Sequence, residues 1–71
     1  MKNYDGYVNI LVECLMRDYH LSVAEAREAY ISSAVKKMMD SEKTANWQMH
    51  QPLKSTVAEI YDEYEGAMIP S

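Results

Sequence analysis

Ser22-Val23-Ala24-Glu25-Ala26-Arg27-Glu28-Ala29-Tyr30-Ile31 opens on a helix start signal and then keeps helical spacing. Ser22 and Glu25 form an S-x-x-E capping box. The serine hydroxyl accepts from the Glu25 amide, and the carboxylate accepts from the Ser22 amide. Beyond it, Val23, Ala24, Tyr30, Ile31, Ala34, Val35 and Met38 fall on one helical face, while Glu25, Glu28, Ser32 and Lys36 fall on the other. Lys36 and Lys37 suit a helix C-terminus. The spacing predicts one helix over residues 23–39. Ala24, Ala26, Ala29 and Ala34 are small enough to let a neighbouring helix come close.

Upstream, a helix is expected over residues 4–19. Tyr4, Tyr7, Val8, Ile10, Leu11, Val12, Cys14, Leu15 and Tyr19 cover more than half of its circumference, with Met16 an apolar intruder on the polar side. A surface helix carries a narrower apolar stripe, so this one should pack on two sides, against its own chain and against a second copy. Downstream, Asp40-Ser41-Glu42-Lys43 reads as a solvated turn within a loop or short helical turn over residues 40–54. Trp47, Met49 and Leu53 are its expected anchors on the core, and Pro52 closes the segment. A third helix is expected over residues 56–65. Thr56 and Glu59 offer a second capping box, Val57, Ile60, Tyr61 and Tyr64 recur at i, i+3, i+4 and i+7, and Gly66 is a natural stop. Residues 67–71 read as a frayed tail. No window alternates with period two, so the fold class is all-α, a small three-helix domain.

The chain has 71 residues, which allows one small domain without a deep enclosed cleft. It is 48% hydrophobic and 25% charged, a globular balance. Seven basic against eleven acidic residues leave a net charge of −4, which repels nucleic-acid phosphate overall. A single cysteine, Cys14, cannot close an internal disulfide, and neither a secretory leader nor a membrane-length apolar run is present; the expected setting is the cytoplasm.

No phosphate loop, nucleophile elbow or zinc-protease motif occurs, and His20 and His50 lack metal-ligand spacing with each other or with Cys14. Cys14 sits on an apolar face, where a thiol packs as a small hydrophobe. The expectation is a protein without enzymatic activity, cofactor or metal. Three features point instead to binding. Arg27 falls between Ala34 and Met38 on the projected apolar face, so it either pairs with Glu13, Glu59 or Glu63 or anchors an interface. Glu59, Asp62, Glu63 and Glu65 follow one another without a base between them, either an ordinary solvated face or a docking surface for a basic partner. Six tyrosines with no phenylalanine favour a surface apolar on one side and wet on the other. Tyr4, Tyr7 and Tyr19 lie on the wide face of the first helix, as interface or as half-buried core. The candidate partner-binding residues are therefore Tyr4, Tyr7, Tyr19, Arg27, Glu59, Asp62 and Glu63.

The order of Leu21-Ser22-Val23-Ala24-Glu25-Ala26, Met49-His50 and Val57-Ala58-Glu59-Ile60-Tyr61-Asp62-Glu63-Tyr64 resembles a group of short bacterial proteins known as a domain of unknown function, often encoded beside ADP-ribosyltransferase-like toxin genes. The resemblance spans most of the chain. It implies an all-helical cytosolic protein with an antitoxin-type role toward a toxin, and it carries over no functional residue. The expected function is a bacterial protein–protein interaction module, homodimeric through the first helix, regulating a partner as an antitoxin or small adaptor does. The alternative is a small DNA-binding regulator built on two helices joined at Tyr19-His20-Leu21, with Lys36, Lys37 and Lys43 as its basic cluster.

Overall fold

The computed structural model describes residues 4–68. They form five helices: α1 (Asp5–Tyr19), α2 (Val23–Ile31), α3 (Ala34–Met39), α4 (Glu42–Met49) and α5 (Leu53–Met68). The all-α class holds, with no strand among the described residues, but the expected three helices are five.

Helix α1 ends as read. His20 follows it in the left-handed conformation at φ 56°, where the chain turns toward α2. Within the chain, α1 packs against both α2 and α5. Leu11, Val12 and Leu15 are its buried residues, and half-buried Tyr4, Tyr7, Val8, Cys14, Met16 and Tyr19 pack around the core they help form. Met16, the intruder by projection, therefore packs inward, while Ile10 from the projected apolar face is 46% exposed.

The capping box of α2 forms as expected: Glu25 N–H donates to Ser22 Oγ at 3.1 Å, and Ser22 N–H donates to the Glu25 carboxylate at 2.9 Å. These bonds hold the Glu25 carboxyl below its ordinary 4.5, chiefly through the Ser22 backbone. A depressed carboxyl pKa contributes stability that is present above the unfolded-chain value and lost as pH falls through the lower folded value. Acidification below 4.5 should accordingly fray the first turn of α2 before the core opens. Amide exchange at Ser22 checks this, and protection that stays flat through that range would refute it.

The predicted helix over 23–39 breaks at Ser32-Ser33. Ser33 leaves the helical region at φ −89° and ψ 161°, accepts from Lys36 N–H, and donates its hydroxyl to the Tyr30 carbonyl at 2.6 Å. Two serines in succession offer local side-chain bonds that compete with the backbone ladder. Glu63 supports the break from α5 by accepting from the Ala34 N–H at 2.9 Å. The break resets the phase of the apolar face. Ala26, Ala29, Tyr30, Val35 and Met39 are buried, whereas Val23, Ala24, Ile31 and Ala34 face outward. Ala26 and Ala29, at 0% and 1% exposed, are the small residues where other helices meet α2.

The 40–54 segment contains a full helix, α4, which buries Ala45 and Gln48. Trp47 is no core anchor, being 57% exposed, and Leu53 is 37% exposed; Met49 alone of the three packs against the core. Thr56 does not cap a helix. It lies inside α5, 1% exposed, because its hydroxyl accepts from the buried Gln48 Nε2 at 3.0 Å. Helix α5 starts at Leu53, directly after Pro52, whose carbonyl accepts from Thr56 N–H. It continues through Gly66 to Met68, so Gly66 does not stop it and residues 67–68 are helical; the rest of the expected frayed tail lies outside the described residues. Glycine permits the left-handed stop but does not impose it, and no glycine here has a positive φ. Val57 and Ile60, both essentially inaccessible, carry α5 into the core beside Leu11 and Leu15.

Candidate functional site

An open groove of about 380 Å³ lies between α3, α4 and α5. Helix α3 contributes Ala34, Val35 and Met38, helix α4 contributes Trp47 and Gln48, and helix α5 contributes Glu59, Asp62 and Glu63. Each wall has a local cause. Burial of Ala45 and Gln48 rotates α4 so that Trp47, one residue before Gln48, points away from the core. Burial of Val57 and Ile60 leaves Glu59, Asp62 and Glu63 on the exposed side of α5. The break at Ser32-Ser33 sets α3 at its own angle beside them, tied to Glu63 through the Ala34 N–H.

The groove is therefore apolar and aromatic on one side and acidic on the other, and no basic residue lines it. Among the described residues no other ring or cation stacks on Trp47. An exposed indole face beside carboxylates is suited to a cation: the ring quadrupole and the carboxylates attract the same guanidinium or ammonium group. Lys36 at the far side of α3 is occupied by Asp40, with Nζ to Oδ1 at 2.8 Å.

Glu59, Asp62 and Glu63 were expected as an acidic docking surface, and the structure brings all three to this groove. The tyrosines lie elsewhere and turn inward. Tyr19 stacks on Tyr61 of α5, with ring centres 4.0 Å apart and planes 7° from parallel. The Tyr7 hydroxyl donates to the Gln48 carbonyl across 3.4 Å, and the buried Tyr4 hydroxyl has no hydrogen-bond partner among the described residues. The Tyr61 phenol is held above its ordinary value, first by the Glu65 carboxylate beside it and then by their hydrogen bond. These rings seal the edge of the core.

Arg27 is not in the middle of an apolar face. Burial of Ala26, Ala29 and Tyr30 leaves it exposed on α2, in a second cleft of about 350 Å³ with Asp5, Val8, Asn9, Val12, Tyr30 and Ile31. None of the expected partners Glu13, Glu59 and Glu63 pairs with it, and among the described residues its guanidinium forms no ion pair.

Trp47 is the site residue that sequence reasoning misplaced. Its usable signal was the pair Ala45 and Gln48 at i, i+3, which fixes the buried side of α4, but a glutamine does not read as core until its partner Thr56 is known. Among the described residues, no group of three histidine, cysteine or acidic side chains is placed to hold a metal ion, and no helix is long and apolar enough to cross a membrane. No protein-family model, curated protein or solved structure matches the chain.

Proposed function

We propose that this chain is a cytosolic bacterial protein–protein interaction module without enzymatic activity, whose α3–α4–α5 groove takes a basic, amphipathic segment of a partner protein. It regulates that partner by occupancy, as an antitoxin or small adaptor does. The observation that carries the reading is Trp47, 57% exposed on a groove that Glu59, Asp62 and Glu63 of α5 also line. Tryptophan and arginine are the residues most enriched where interfaces concentrate their binding energy. Here the chain supplies the first together with carboxylates for the second.

The test uses a synthetic helical peptide with leucines and arginines on one face, and a second peptide in which glutamine replaces every arginine. Trp47 is the chain's only tryptophan, so its fluorescence reports on the groove. The arginine peptide should shift that emission saturably, and the glutamine peptide should not. Glu59→Gln with Asp62→Asn should weaken binding about tenfold or more, since a desolvated charge-assisted hydrogen bond contributes about 1.5–3 kcal/mol. Equal affinity for the two peptides, or binding indifferent to both substitutions, would remove the reading.

A further inference from the structure

The cleft beside α1 and the groove beside α5 share no residue, yet their chemistries are complementary. Val23, Arg27 and Ile31 are four residues apart on α2, so they form one ridge along the helix. Val23 is 49% exposed and Ile31 61% exposed, with the exposed Arg27 between them. This is an apolar–cation–apolar sequence about 12 Å long at 1.5 Å per residue. Among the described residues the guanidinium forms no ion pair, and the large aliphatic side chains on its two flanks lie outside the buried core cluster.

We infer that this ridge is an occupant of the groove, presented by a second copy of the same chain. The inference rests on the groove reading and names a partner for it. Arg27 of one copy enters between Trp47 and the carboxylates of Glu59, Asp62 and Glu63 of the next, while Val23 and Ile31 cover the apolar side near Met38. Ridge and groove are different surfaces, so the contact is heterologous and leaves one free groove and one free ridge after each addition. One ridge in one groove is a small interface, of the kind found in weak and transient contacts. The net charge of −4 on each copy opposes approach at low salt, and that repulsion is screened beyond about 8 Å at physiological ionic strength.

Arg27→Glu removes the ridge and keeps the groove, whereas Trp47→Ala removes the groove and keeps the ridge. Both positions are exposed, and circular dichroism confirms that each variant is folded. In sedimentation velocity across a concentration series, the wild type should form species beyond the monomer, and each variant alone should stay monomeric. An equimolar mixture of the two should give a dimer that grows no further, because the only intact ridge then meets the only intact groove. A mixture that stays monomeric while the wild type associates would mean that another surface makes the contact, which overturns the assignment. A wild type that stays monomeric throughout also overturns it. In that case, saturable binding of the arginine peptide would leave the groove reading standing, and no peptide binding would end both.

Discussion

Leu15→Ala should lower the melting temperature by about 12–24 °C, while Ile10→Ala in the same helix should scarcely move it. Leu15 is fully buried in the same core cluster as Leu11 and Ile60, in a helix that packs on both α2 and α5. Emptying such a site removes the transfer free energy of the lost atoms and leaves a cavity, together about 2–5 kcal/mol. A domain of this size has roughly 4–11 kcal/mol in total at 0.05–0.15 kcal/mol per residue, so a loss near 3 kcal/mol is a large share. Each kcal/mol corresponds to about 4–8 °C in a domain of 60–100 residues. Ile10 is 46% exposed and leaves little cavity, so its truncation stays within about 0.5 kcal/mol. Thermal denaturation of the pair decides the rotation of α1: equal losses would mean that the helix is turned differently about its axis.

The second large effect concerns the polar contact at the base of α5. Thr56→Val keeps the shape of the side chain but strands the Gln48 Nε2 donor, which reaches Thr56 Oγ1 at 3.0 Å with both residues almost wholly buried. A stranded buried donor costs about 1–3 kcal/mol. Gln48→Leu alone should cost less, because a threonine hydroxyl within a helix can turn to the carbonyl one turn back, here that of Pro52. The double variant Gln48→Leu with Thr56→Val removes donor and acceptor together and should recover most of the loss of Thr56→Val. Chemical denaturation of the four proteins closes the cycle, with a coupling of about 0.5–3 kcal/mol expected for partners in contact. Additive losses would show that the bond does not hold α4 to α5.

What could be read in the sequence depended on whether the deciding interaction was local. Helix α1 and the Ser22–Glu25 box were legible because spacing and capping lie within one turn of each other. The Ser32-Ser33 break was not, because serines are tolerated within helices and the stabilising Glu63 lies 29 residues away. Missing that break displaced the apolar face by part of a turn and carried Arg27 into an imagined core. The same distance problem hid α4's orientation, since Gln48 becomes a core residue only through Thr56. Of the candidate site, the acids of α5 were visible as an unbroken run of like charge. That they share a groove with Trp47 is a property of three helices together. Tyrosine content could not distinguish an interface from a sealed core edge, because both set an apolar ring beside a wet boundary.

Helix α5 both closes the core through Val57 and Ile60 and supplies the acidic wall of the groove. A ligand that needs both walls therefore binds only the folded chain, and by mass action its presence shifts the folding equilibrium. At a hundred times its dissociation constant, such a ligand adds about 2.7 kcal/mol of stability, comparable to the loss expected from Leu15→Ala. In a cell, the steady-state amount of so small a domain, and its survival against proteases, would then follow the supply of whatever fills the groove.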